Sequence, residues 1–368
     1  MKIGILAPDN PHKGLHRDAE LIAWALDEGG FSNVEILHLK NIRAEVLSTK
    51  SSNSGAPSRW SVGEGIALDK WIHGLDVLFF SEVLNCELIE KILPVIKVVY
   101  VPNLEWTIIK GKSGEVATWI SEVRGFIKKG MVVLAKTPTA GKVLQQHDIE
   151  CDIVDWSIPD AISKKKRKPY SKSRTRVLMN AGLGGWKSRR GVDVMIEAIN
   201  MMPKNHTFDF VLKTIKPWEE YELGECPVSV ELVEGFIDRD EMDKLVDSAD
   251  IIIYPSRFEG FGLSQLEALH RGIPVMCTDG WPMNELQTIA DGRLLIKPSS
   301  MEPLRLAWSF EPSPKSIVEN LIALDGKNPC DLFPTLQVTK GLRNKQENFV
   351  KQLSKLVFSD KEELDESV

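Results

Sequence analysis

Residues 254–285 read YPSRFEGFGLSQLEALHRGIPVMCTDGWPMNE, and the interpretation of the whole chain turns on them. Four apolar residues, 251–254, lead in as a short strand. The turn EGFG follows, where Gly260 and Gly262 let the backbone approach a ligand closely. From Ser264 to His270 the pattern is helical, and residues 274–277 (PVMC) form one more short strand. A strand, a glycine turn and a helix start leave backbone N–H groups free to meet an anion, phosphate above all. Two carboxylates, Glu259 and Glu267, flank that turn with seven residues between them, and carboxylates accept hydrogen bonds from sugar hydroxyls.

Outward from this stretch the same plan recurs. Residues 177–180 and 208–213 read as strands around a helix at 191–201, and a strand at 228–233 precedes a helix at 239–248. In the first half, strands are expected at 3–7, 34–39, 77–80, 98–101 and 131–135, with a helix at 16–27. Dense apolar strands joined by helical crossovers predict parallel sheets covered on both faces, hence two successive Rossmann-like arrays. The run SKKKRKPYSKSRTR at 163–176 carries eight Lys or Arg residues and is the expected linker between domains 1–162 and 177–334. Residues 335–358 read as a closing helical region that Gly341 could divide, and 359–368 as an acidic tail with little to bury. Residues 48–61 are polar and aperiodic, as in a loop.

Composition narrows the class. A chain of 368 residues is long enough for two domains, and its net charge of −6 gives no global attraction to nucleic acid or anionic membrane. The five cysteines, Cys86, Cys151, Cys226, Cys277 and Cys330, show no CxxC or metal-type spacing, which favours buried thiols in a reducing compartment. MKIGILAPDN reads as a first strand rather than a signal peptide, and no apolar run reaches the roughly 18–20 residues of a membrane span. A cytoplasmic location is expected.

The EGFG turn between Glu259 and Glu267 resembles the Glu-x7-Glu motif of retaining glycosyltransferases of the GT-B fold, the group 1 superfamily of glycogen-synthase-like and mannosyltransferase-like enzymes. The resemblance covers the whole chain in architecture and residues 182–285 in motif detail. It implies two Rossmann-like domains facing a cleft and transfer of a hexosyl unit from a nucleotide sugar, with UDP favoured. Glu267 would bond the ribose diol and Glu259 the transferred hexose. The N–H groups of Phe261, Gly262 and Leu263 would meet the diphosphate. Family members carry a Gly-Arg pair and then a Lys-Gly in the segment AGLGGWKSRRGVDV; here Arg190-Gly191 stands for Lys-Gly, and Gly184 stands where the earlier arginine is expected. Arg190 is therefore the expected phosphate clamp, with Lys187, Arg189 and Lys213 as substitutes for the missing charge. Phe236 and Ile237 would meet the base. With no DxD-like cluster after a strand, no metal or other cofactor is expected.

On the first domain, PNLEW follows the strand at 98–101, which places Asn103, Glu105 and Trp106 at the carboxyl end of the sheet. Glu105 could orient an acceptor hydroxyl and Trp106 could offer a ring face. In DNPHKGLHRDAE, Gly14 permits close approach, while His16 or Arg17 could reach the diphosphate. The acceptor is expected to be a glycan or small molecule, with no obligate protein partner. The basic run leaves two other anionic partners open, DNA (as for viral enzymes that glycosylate hydroxymethylated bases) and a phospholipid surface. A UDP-sugar epimerase and a non-catalytic binding protein are the remaining alternatives.

Overall fold

The computed structural model describes residues 1–8, 14–39, 68–109, 115–159, 174–182, 189–221, 227, 229–290, 294–332 and 335–365. The chain divides into two compact units, Met1–Pro159 with Asn344–Val368, and Asp160–Arg343.

In the first unit the strands are β1 (Ile3–Pro8), β2 (Val34–Leu39), β3 (Val77–Ser81), β4 (Lys97–Val101), β5 (Val132–Ala135) and β6 (Asp152–Ile153). They form one sheet in the order β2-β1-β3-β4-β5-β6, with every pairing parallel. The crossovers carry α1 (Gly14–Glu28), α2 (Leu68–Ile72), α3 (Cys86–Ile92), α4 (Val116–Ile127) and α5 (Pro138–Gln146). Both faces are covered, which is why Val98, Val99, Tyr100 and Val101 are all buried and the strand reads apolar without alternation. Local chemistry sets the helix starts. Thr137 caps α5 by accepting from Ala140 N, with Pro138 in the first turn.

The second unit repeats the design with β7 (Thr175–Gly182), β8 (Phe208–Thr214), β9 (Val230–Val233), β10 (Ile251–Tyr254), β11 (Val275–Thr278) and β12 (Leu295–Ile296). The order is β12-β11-β10-β7-β8-β9, again wholly parallel. Chain direction across the sheet reverses around β7, so the carboxyl ends of β7, β8 and β10 form the switch point where such sheets hold ligands. Helices α6 (Val192–Met201), α7 (Arg239–Ser248), α8 (Leu263–His270) and α9 (Pro314–Leu324) complete the layers. An antiparallel hairpin of β13 (Pro298–Leu304) and β14 (Ala307–Pro312) was not expected from the sequence.

Three expectations are corrected. Helix α10 (Thr335–Asp365) runs unbroken through Gly341 and continues into the acidic tail. Its later part belongs to the first unit, where Phe349 is fully buried with ring centroids 4.9 Å from Trp156 and 6.3 Å from Trp24. Lys97 Nζ donates to Leu356 O at 2.8 Å, and Gln352 Oε1 accepts from Asp155 N at 2.8 Å. Finally, the end of the basic run is sheet rather than linker, since β7 begins at Thr175 and Arg174 bonds Asp209 at 2.5 Å. Residues 161–173 and 40–67, and with them most of the basic run and the polar loop, lie outside the described residues.

Candidate active site

Helix α8 starts at the carboxyl end of β10 because Gly262 takes a left-handed conformation, φ +97°, at the N-cap. Glycine adopts that conformation without the steric cost other residues incur, and it has no side chain to cap the helix. Gly262 supplies no side-chain cap, and although Gln265 N donates to Gly262 O at 3.0 Å, the start of the helix keeps its pull on an anion. The Tyr254 hydroxyl donates to Ser264 O at 3.1 Å, tying this turn to the end of β10. The side chains of Phe261 and Phe258 are buried, whereas Gly260 and Leu263 are partly exposed.

A second glycine brings the cation in. Gly191 is the left-handed N-cap of α6, φ +67°, and a Cβ there would lie 2.0 Å from the Pro255 carbonyl oxygen. The residue before it, Arg190, is thereby set against the β10 loop, and its Nη1 donates to Glu259 Oε1. Glu259 is almost fully buried, with its side chain 7% exposed against 22% for Arg190. Burial lowers the Arg190 guanidinium from its ordinary value and the charge of Glu259 opposes that shift. Burial, then the charge of Glu267, push the Tyr254 phenol up, with Glu259 adding to the shift; both carboxylates therefore act on this one ring. Glu267 is half-buried on the second turn of α8.

The motif loop is clamped by a residue that sequence reading passed over. Arg257 bonds both oxygens of Asp193 at 2.9 and 2.7 Å and both oxygens of Glu311 at 2.6 and 2.7 Å. Its backbone N donates to Arg189 O at 2.7 Å and its carbonyl accepts from Phe310 N at 2.8 Å. One arginine thus joins the start of α6, the loop carrying Arg190, and the hairpin. Gln265, in the first turn of α8, is buried with both amide atoms unpartnered among the described residues.

The other expected donor-side residues are placed as follows. The Arg189 guanidinium lies 5.9 Å from the Phe258 ring centroid, over its face. Lys213 is buried at the end of β8, donating to Thr214 O at 2.7 Å and to Gly235 O. That ties the ammonium to the β9–α7 loop, where Phe236 is exposed and Ile237 half-buried. Burial pushes the Lys213 ammonium down from its ordinary value. Lys187 and Gly184 lie outside the described residues.

In the first unit, Asn103, Glu105 and Trp106 follow β4, the first two buried and Trp106 half-buried. Gly14 begins α1. His16 Nε2 lies 3.5 Å from Glu20 Oε1, and its ring stacks on His38 at 4.7 Å. Arg17 Nη1 bonds Glu20 Oε2 at 2.9 Å, so both His16 and Arg17 engage Glu20. Among the described residues no group of three or more His, Cys, Asp or Glu is placed to hold a metal, and no helix is long and apolar enough to cross a membrane.

Against known proteins, the architecture is that of the GT-B fold. A sucrose-phosphate synthase structure from Thermosynechococcus elongatus aligns at TM-score 0.63 and 12% identity, covering 100% of each chain. The structure of WaaG, a glycosyltransferase involved in lipopolysaccharide biosynthesis, aligns at TM-score 0.62 and 16% identity, covering 96% of this chain and 99% of that one. A trehalose-6-phosphate structure from E. coli, bound with UDP-2-fluoro glucose, aligns at TM-score 0.63 and 9% identity, covering 96% and 99%.

In sequence, residues 164–307 match the model of the family glycosyl transferases group 1. The lipopolysaccharide glucosyltransferase WaaG of Escherichia coli is 28% identical over 189 residues, 46% of this chain and 50% of that protein. The O-antigen chain mannosyltransferase B of Escherichia coli is 24% identical over 129 residues, 33% of each. The chain spans half the length of the first relative and a third of the second.

Proposed function

We propose that the protein transfers a hexosyl unit from a nucleotide sugar, a UDP-sugar by preference, to a hydroxyl of a glycan or small molecule, with retention of configuration. The observation that carries this reading is the Arg190–Glu259 ion pair beside the uncapped start of α8, within the segment that matches the group 1 model. The glucosyltransferase relative and the neighbour bound with UDP-2-fluoro glucose support the donor class.

In this reading the diphosphate lies against the first-turn N–H groups of α8, and Arg190 supplies the charge that stabilises the departing UDP. Glu259 meets the hexose hydroxyls and keeps the guanidinium in place until the donor arrives. Glu267 accepts from the ribose diol. Retention follows if the departing phosphate oxygen takes the proton of the incoming hydroxyl on the same face, so no strong protein base is needed. Arg190 and the helix do the electrostatic work elsewhere done by a divalent metal.

The test is UDP release from UDP-glucose, alone and with a panel of free hexoses, hexose phosphates, deacylated lipopolysaccharide core and hydroxymethylated DNA. Acceptor-stimulated release with an α-linked product by NMR supports the reading. Interconversion of the sugar without an acceptor would assign an epimerase, and UDP binding without turnover a binding protein. Stimulation by hydroxymethylated DNA alone would move the acceptor to nucleic acid, with residues 163–176 as its basic contact.

A further inference from the structure

At the carboxyl edge of the first unit's sheet lies a buried charge network that the donor-side chemistry does not use. Asp18 on α1, Asn103 after β4 and Lys136 directly after β5 are all buried. Lys136 Nζ donates to Asp18 Oδ2 at 2.5 Å and to Asn103 Oδ1 at 3.1 Å. The second oxygen of Asp18 accepts from Trp156 Nε1 at 3.1 Å, and the Lys136 ammonium stands 5.1 Å from the Trp156 ring centroid.

The chemistry of the four groups gives the network a direction. An ammonium has only donors, so the Asn103 atom facing Lys136 must be the carbonyl oxygen; the sense of the amide is fixed by its partner. The Asn103 NH₂ group is consequently turned away from the network. It has no acceptor among the described residues and is not one of their fully buried unpartnered atoms, so within this buried residue it is the polar end that is not sealed off. It lies at the carboxyl end of a central strand, where open α/β sheets hold ligands.

A buried ion pair is a costly way to hold one amide, since apolar replacements of such pairs are often neutral or stabilising. What the pair provides here is orientation. We propose that Asn103 is a specificity-determining residue presenting two N–H donors to an oxygen of the acceptor substrate, and that Lys136 and Asp18 are the positioning residues that fix its amide in that sense. This rests on the glycosyl-transfer reading and adds a requirement to it: the acceptor offers a hydrogen-bond-accepting oxygen at this point, such as a hydroxyl or ring oxygen, a carboxylate or a phosphate.

Two measurements test it. In the ¹⁵N-labelled free protein, with the Asn103 side-chain signals assigned by their loss in Asn103→Ser, the Nδ2 protons should exchange rapidly with water. Slow exchange, with the NH₂ held inside, overturns the proposal whatever the enzyme's substrate. The variant Asp18→Asn/Lys136→Met removes both charges at similar volume and keeps an acceptor for Trp156. It should fold, raise the acceptor KM about tenfold with a smaller change in kcat, and leave UDP affinity by calorimetry unaltered. An unchanged acceptor KM, or equal losses for acceptor and UDP, would assign the pair to stability alone. If no member of the acceptor panel is turned over by the wild type, the glycosyl-transfer reading fails, and the exchange experiment still decides the orientation of Asn103.

Discussion

At the scale of single residues, Arg190 and Glu259 behave as one unit. Removing either leaves a buried partner unmatched, so Arg190→Ala should lose about 1–3 kcal/mol of stability as well as activity. The two losses can be separated. Arg190→Ala/Glu259→Gln should recover most of the stability by denaturant melting, yet remain roughly a hundredfold or more below wild type in turnover, as expected for a lost preorganised charge. Near-wild-type turnover in the double variant would remove Arg190 from the chemistry. Glu20 makes a separate prediction about pH. Burial pushes its carboxyl up, but hydrogen bonds from His16 and Arg17 outweigh this and hold it at about 2 against an ordinary 4.5. A depressed carboxylate stabilises the fold fully above its unfolded value and progressively less as pH falls through the folded one. The stability difference between wild type and Glu20→Gln should therefore be constant above 4.5 and shrink as pH approaches 2. A difference that stays constant throughout that range would contradict the contacts His16 and Arg17 make with Glu20.

At the scale of elements, two left-handed glycines of unequal surroundings give a controlled comparison. Gly191→Ala forces a Cβ to within 2.0 Å of the Pro255 carbonyl, while at Gly130, φ +101°, an added Cβ meets nothing within 4 Å. Both substitutions carry the left-handed penalty of about 1–2 kcal/mol, and only Gly191→Ala should displace Arg190. Thermal melts should show the larger loss there, with turnover reduced at Gly191 and retained at Gly130; equal effects would deny that the α6 start positions the cation. The strands were legible because buried parallel strands read as dense apolar runs: 251–254 is uninterrupted, while 208–213 and 34–39 each carry two polar residues, and all three fall where the pattern places them. The β13–β14 hairpin was not legible. PSSMEPL is exposed along most of its length and holds two prolines, so neither alternation nor β-propensity marks it. The clamp at Arg257 was hidden for another reason. Its partners Asp193 and Glu311 lie 64 and 54 residues away, and nothing local distinguishes it from a surface cation. Asp18 and Lys136, 118 residues apart, escaped in the same way.

At the scale of the whole molecule, the first unit's core depends on the far half of α10. Phe349 and Leu353 are fully buried there. Phe349→Ala should cost about 3–5 kcal/mol by equilibrium denaturation, whereas a loss below about 1 kcal/mol would mean that the helix end merely rests on the unit. The Glu259–Glu267 motif, by contrast, sits wholly in the second unit, in the portion that matches the group 1 family model. The central claim is that this unit holds a nucleotide sugar through the start of α8, with Glu267 on the ribose. Titrating UDP calorimetrically into the wild type and into Glu267→Ala tests it most directly. Loss of a charge-assisted hydrogen bond of about 1.5–3 kcal/mol predicts UDP binding by the wild type and an affinity roughly tenfold or more weaker in the variant. Equal affinities, or no binding by either protein, would contradict it.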